Sequence, residues 1–173
     1  MLFRSTHRYV VGISKDAASR GGSKFIHEQL KVGDTVMVSE PRNNFPLNEA
    51  APLSVFFAGG IGITPMYCMV KRVAAIGAPW QMYYSARTPE HAAYRDGVDA
   101  LAKEAKRDVV FNYDQVPGGK MLDLKSIVGG IDAKAHLYCC GPTPMIQAFE
   151  KACEGRAPET VHVEYFTAVE EAA

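Results

Sequence analysis

The chain has 173 residues, 47% of them hydrophobic and 22% charged, which suits one domain or slightly more with a real core. Nineteen basic residues balance nineteen acidic ones, so no surplus charge is set aside for nucleic-acid phosphates. No apolar run reaches the roughly 18 residues of a membrane-spanning helix, and residues 1–8 lack the apolar stretch of a secretory signal. These counts exclude collagen, long coiled coil and wholesale disorder, and predict a soluble cytoplasmic protein with neither nucleic acid nor membrane as partner.

In chain order, residues 9–13 and 35–38 are rich in β-branched side chains and predict strands. Between them Ser19-Arg20-Gly21-Gly22-Ser23 turns into a short helix with Phe25, Ile26 and Leu30 at helical spacing. Two strands and a short helix are too few for an independent core, so residues 1–50 read as part of something larger. The unpaired strand edges there predict dimerisation or aggregation. Residues 41–52, with three prolines and three asparagines, form a connector.

After the connector the rhythm changes. Leu53-Ser54-Val55-Phe56-Phe57-Ala58 is an apolar strand ending in Gly59-Gly60-Ile61-Gly62, and Met66, Met69, Val70, Val73 and Ala74 follow at helical spacing up to Gly77. A strand over 80–84 precedes a helix marked by Val98, Leu101, Ala102 and Ala105. A strand over 109–111 precedes a Gly-rich turn and a helix through Leu122, Leu124, Ile127 and Val128. The strand over 135–140 leads to a helix through Met145, Ile146, Phe149 and Ala152, stopped by Gly155; residues 161–166 are a fifth strand or strand-like tail. Such alternation means parallel strands, right-handed crossovers and helices on both faces. The fold class is α/β, a five-stranded parallel doubly wound domain over 51–166, with the order 3-2-1-4-5 assumed and 167–173 as a tail.

Two helix starts echo each other. Gly59-Gly60-Ile61-Gly62-Ile63-Thr64-Pro65 and Gly141-Pro142-Thr143-Pro144 both run from an apolar strand through glycine to Thr-Pro and a helix. Thr is a good N-cap and Pro suits the first helical position. In the assumed order both starts flank the crevice where winding reverses, where helix N-termini suit a pyrophosphate. The bland alternative is a pair of tight strand-to-helix turns, and the third position of a G-x-G-x-x-G pattern is here Pro65. The acid expected at the end of the second strand for the ribose is replaced by Tyr84-Ser85-Ala86-Arg87, which leaves NAD and NADP both open.

The four cysteines, Cys68, Cys139, Cys140 and Cys153, form neither a disulfide framework nor a zinc or iron–sulfur pattern. His7, His27, His91, His136 and His162 are scattered, and no metal is expected.

Taken together and in order, the glycine turn, Tyr84-Ser85-Ala86-Arg87, Tyr138-Cys139-Cys140-Gly141-Pro142 and His162-Val163-Glu164-Tyr165-Phe166 resemble the ferredoxin–NADP reductase superfamily. They resemble most closely its phthalate dioxygenase reductase branch, including reductases of vanillate O-demethylases. Ala18-Ser19-Arg20-Gly21-Gly22-Ser23 and Pro41-Arg42-Asn43-Asn44-Phe45 resemble the second half of that family's flavin-binding barrel, which would make residues 1–50 a partial β-barrel segment. The resemblance implies that NADH, ahead of NADPH, delivers hydride to FMN, and that electrons go on to an iron–sulfur centre and an oxygenase component or ferredoxin. It implies that Gly59, Gly60, Gly62, Ile63, Thr64 and Pro65 hold the dinucleotide, with Arg87 at its ribose or phosphate. Cys140, Gly141 and Pro142 would line the nicotinamide pocket, Gly22 and Ser23 would meet the FMN phosphate, and Phe166 beside Tyr165 would cover the flavin ring. Cys140, Phe166 and Thr64 would then be the residues at the reacting rings. The family's Arg-x-Tyr-Ser flavin motif and its ferredoxin module are not found in this sequence, so an internal piece is expected. The alternatives are a dinucleotide-binding module without turnover and an interaction domain whose glycine turn is purely structural.

Overall fold

The computed structural model describes residues 8–16 and 19–166; His7, Ala18 and the predicted tail over 167–173 lie outside them. The chain divides into two compact units, with the boundary between Asn44 and Phe45.

In the second unit the apolar run after the connector becomes β1 (Ser54–Gly59), buried along its whole length. A strand with no polar side needs cover on both faces, and therefore a central place in a parallel sheet. It pairs in parallel with β2 (Trp80–Ala86) on one side and β4 (His136–Cys140) on the other. Outside these lie β3 (Val109–Tyr113) and β5 (Val161–Glu164), giving the order β3-β2-β1-β4-β5. The expected order is the observed one.

Strand alternation splits the core into two layers. Phe56 and Ala58 join Met66, Met69, Val70 and Val73 of α2 (Ile63–Ala75) and Val98 and Ala102 of α3 (Arg95–Ala105). Val55 and Phe57 join Leu124 and Val128 of α4 (Leu124–Gly129) and Met145, Ile146 and Phe149 of α5 (Thr143–Ala152). Each fully buried Phe contributes about 1.5–3 kcal/mol of transfer free energy, so the paired aromatics of β1 anchor both layers. β2 and β3 run two residues past their predicted ends, and β5 stops at Glu164, leaving Tyr165 and Phe166 beyond the sheet.

The first unit departs from expectation. Its described residues hold one helix, α1 (Gly22–Glu28), and the strands predicted over 9–13 and 35–38 are not formed. Tyr9, Val10, Val11, Val36, Met37 and Val38 are all exposed. A strand needs a neighbour for its N–H and C=O groups and a layer for its apolar face, and the described residues of this unit offer neither. The expected partial barrel, and the sheet edge expected to drive dimerisation, are therefore not built here. Among the described residues no helix is long and apolar enough to cross a membrane.

Candidate functional site

Parallel pairing puts the carboxyl ends of all the strands along one edge of the sheet, and the predicted residues of the second unit collect there. Ala58 of β1 is the register partner of Cys140 of β4, so the two glycine-bearing turns leave the sheet side by side. Their glycines differ in purpose. A Cβ on Gly62 would run into the Cys140 carbonyl group, and one on Gly59 would lie 2.6 Å from Met145 Sδ and 2.7 Å from Pro142 Cδ. A Cβ on Gly141 would sit 3.0 Å from Gly59 Cα. These three let the turns pack backbone on backbone. Gly60 is different: its φ is +52° and nothing lies within 4 Å of the Cβ position, so it opens outward.

Both helix starts correct the expected capping. A 3-10 turn over Gly60–Gly62 already winds the chain, so α2 begins at Ile63 with Gly62 as its N-cap, and Thr64 lies inside the first turn. The Thr64 hydroxyl donates backward to the Ile61 carbonyl at 3.0 Å. Likewise α5 begins at Thr143 with Pro142 as N-cap. Neither start has a side-chain cap, which leaves backbone N–H groups of both first turns to other acceptors. Ile63 is wholly buried and Pro65 half-buried, so the first turn of α2 is fixed by the core.

Cys140 is fully buried beneath this edge. Burial first, and then the neighbouring Glu164 carboxyl, push its thiol up to about 12, so it stays protonated and is no nucleophile. Glu164 is its register partner on β5, and burial raises that carboxyl too. Phe166 follows β5 and is 53% exposed, while the Tyr165 hydroxyl donates to Glu150 Oε2 of α5 at 2.8 Å.

Arg87 follows β2 and is exposed; its carbonyl accepts the Gln115 N–H at 2.9 Å, and the Ala86 carbonyl accepts the Asp114 N–H at 3.2 Å. This zips the ends of β2 and β3 together and sets Asp114 one strand over from Arg87. Asp114 Oδ1 is buried with no hydrogen-bond partner among the described residues. An acid thus stands beside the end of β2, at the end of the neighbouring strand β3. A cavity of about 380 Å³ is lined by Pro89, Glu90, Ala92, Tyr94, Arg95, Asp96 and Gly97, beyond the end of β2; the Tyr84 hydroxyl, 3.3 Å from the Gly60 carbonyl and 3.0 Å from that of Ala93, joins this segment to the first glycine turn.

Gly22 and Ser23 belong to the first unit, in the first turn of α1, where the Ser23 hydroxyl donates to Ser19 Oγ at 2.9 Å. Sequence reasoning missed three features: Asp114, Glu164 and a pair of histidines. His136 and His162, read as scattered, meet at 2.9 Å. Their signal was the even spacing along β4 and β5, His136-Tyr138-Cys140 and His162-Glu164, which places each set on one face.

The family model for an oxidoreductase NAD-binding domain matches residues 56–151. Phenoxybenzoate dioxygenase subunit beta of Ectopseudomonas oleovorans is 46% identical over 164 residues, covering 95% of this chain and 50% of that protein. Vanillate O-demethylase oxidoreductase of Pseudomonas putida is 41% identical, covering 94% of this chain and 51% of that one. The solved structure of phthalate dioxygenase reductase, described as modular for electron transfer from pyridine nucleotides to [2Fe-2S], superposes with a TM-score of 0.78 at 35% identity, covering 88% of this chain and 47% of that one. The chain spans about half the length of the curated relatives it matches.

Proposed function

We propose a function from one premise: this chain belongs to the oxidoreductase NAD-binding domain family. It receives a nicotinamide dinucleotide along the strand-end edge for hydride transfer to a flavin, as part of the reductase component of an aromatic-ring oxygenase or demethylase system. Electrons then leave for an iron–sulfur centre on a ferredoxin-type partner or the oxygenase component. The observation that carries the reading is the direct packing of Gly59 and Gly62 on Cys140 and Gly141 where the sheet order reverses.

The residues present suit a dinucleotide. Gly60 opens outward between two helix starts that no side chain caps, which fits a pyrophosphate. When bound, the dinucleotide supplies the hydride and the flavin accepts it, so no general base is required of the protein. The chain's own work is positioning. Gly59, Gly62 and Ile63 frame the turn, Gly60, Thr64 and Pro65 bring its backbone to the phosphates, and Arg87 meets ribose or phosphate. The Asp114 carboxylate accepts from the ribose hydroxyls and repels a 2′-phosphate, which favours NADH over NADPH. Cys140, Gly141 and Pro142 form the floor beside the nicotinamide, with Glu164 on the next strand and Phe166 as cover for the flavin ring. Gly22 and Ser23 hold the phosphate of FMN. The setting is cytoplasmic, in keeping with four free cysteines, three of them buried.

A second reading, dinucleotide binding without turnover, is favoured by one observation: the described residues before Phe45 form no strand on which a flavin could be seated. Separate titrations of NADH, NADPH and FMN, read by thermal shift and flavin fluorescence, decide between the two. Stabilisation by NADH and FMN together with NADH-dependent ferricyanide reduction supports hydride transfer. NADH stabilisation without flavin binding selects the second reading, and failure of NADH to bind sinks both.

A further inference from the structure

At the opposite end of β4 from the glycine turn, a chain of hydrogen bonds joins the connector to the edge strand. The Asn48 side-chain oxygen accepts the Ala50 N–H at 3.0 Å, which turns its amide nitrogen toward His136 Nε2, 3.3 Å away. His136 Nε2 is therefore the acceptor, and its proton sits on Nδ1. That N–H meets His162 Nε2 at 2.9 Å, so His162 is also neutral and carries its proton on Nδ1. The two rings lie within 15° of parallel with centroids 5.2 Å apart, as a head-to-head bond in a common plane requires. Tyr138 stacks on His162 at 4.4 Å, and its hydroxyl accepts the Asn48 backbone N–H at 2.9 Å.

We propose that the Asn48–His136–His162 chain is a proton-sensitive latch that positions β5, and through it Glu164 beside Cys140. β5 has four residues and pairs with β4 alone, so it is the sheet's weakest hold. His162 lies two residues before Glu164 on the same face, and its tie to His136 is diagonal, two residues from its register partner Tyr138. An added proton has no place in this chain. On His162 Nε2 it faces the His136 N–H, and on His136 Nε2 it faces the Asn48 amide, which cannot flip without giving up Ala50. The catalytic consequence rests on the hydride-transfer reading; the latch itself does not.

The surrounding charges do not offset this. The Tyr138 hydroxyl is occupied by Asn48, and the carboxylate of Glu49 on the connector is held by Arg72 of α2 at 2.9 and 2.6 Å. Burial, and after it His136, hold His162 below the usual 6.5. A lowered histidine contributes stability that is present above 6.5 and lost as pH falls through its folded value. Glu164, the carboxyl along the same strand, has the opposite sign: raised above 4.5 by burial, its contribution is lost as pH rises.

The test is amide exchange of β5 at pH 7.5 and 5.5, corrected for intrinsic rates, with imidazole nitrogen spectra at pH 7.5. In the wild type both rings are expected as Nδ1–H tautomers, and corrected exchange over 161–164 should rise several-fold on acidification, up to the roughly tenfold limit that one histidine lowered from 6.5 allows over this interval. His162→Gln keeps an acceptor that cannot be protonated, so its exchange should stay slow at both pH values; His162→Leu should be fast at both. An Nε2–H tautomer on either ring, or a His162→Gln strand as acid-labile as wild type, overturns the latch even if His162→Leu fails to fold. NADH binding at pH 7.5 is measured in parallel. Its absence in the wild type removes the functional reading without touching the exchange result, whereas NADH oxidation indifferent to both substitutions and to acid removes the positioning role.

Discussion

Gly62 and Gly60 stand two residues apart and face different constraints. Gly62→Ala would drive a methyl group into the Cys140 carbonyl, and overpacking of this kind costs about 1–3 kcal/mol. The expected result is a melting temperature lower by about 2–4 °C for each kcal/mol lost, with or without ligand. Gly60→Ala meets only the left-handed backbone penalty, about 1–2 kcal/mol, but its methyl would stand in the open space proposed for the pyrophosphate. It should weaken NADH binding at least tenfold while the fold survives, as calorimetry on the folded protein would register. The cysteines give a second residue-scale test. Burial pushes Cys140 up to about 12 and Cys153 up to about 11, while Cys68 is only half-buried. A disulfide reagent at pH 8 should titrate Cys68 first and the other three only after unfolding. Rapid native-state modification of Cys140 would contradict its burial.

At the scale of elements, the strand ends decide what the edge offers. The sequence has Arg87 where a dinucleotide site of the usual type carries an acid after β2, and the hydrogen bonds from Asp114 and Gln115 back to Ala86 and Arg87 bring a carboxylate beside it from the loop after β3. Asp114→Asn should therefore narrow the preference for NADH over NADPH by on the order of tenfold, about 1.4 kcal/mol, in parallel titrations of the two coenzymes. An unchanged ratio would move the specificity elsewhere, with Arg87 next in line. The helix starts teach a related lesson. Thr64 and Thr143 have the residue type of an N-cap, yet both lie inside their helices. The 3-10 turn after β1 winds the backbone early, and Pro142 holds the cap position before α5.

At the scale of the whole molecule the two units should behave differently. Amides of β1, β2 and β4 sit in the doubly covered layer and should exchange only by global unfolding, whereas those of 8–16 and 30–44 should exchange within seconds. Saturating dinucleotide at 100 times its Kd adds about 2.7 kcal/mol to the unit that binds it, so it should slow exchange in the sheet and leave 8–16 and 30–44 unchanged. Exposed Tyr9, Val10, Val11, Met37 and Val38 predict concentration-dependent association in light scattering. A monomer at all concentrations would overturn this expectation.

By itself the sequence determined the alternation of strand and helix after the connector, the largely apolar strand over 53–58, and the two glycine turns; the central place of that strand in the sheet was only assumed. These are local matters of periodicity and backbone permission. It also marked 9–13 and 35–38 as strand-like, but propensity cannot supply a pairing partner, and no strand forms there among the described residues. Only the tertiary structure decided which glycines serve packing and which opens outward, that Asp114 of the loop after β3 stands beside the end of β2, and that two histidines 26 residues apart meet across β4 and β5. Each of these depends on which strand lies beside which. Contacts between neighbouring strands are set by register and sheet order, which no single stretch of chain encodes.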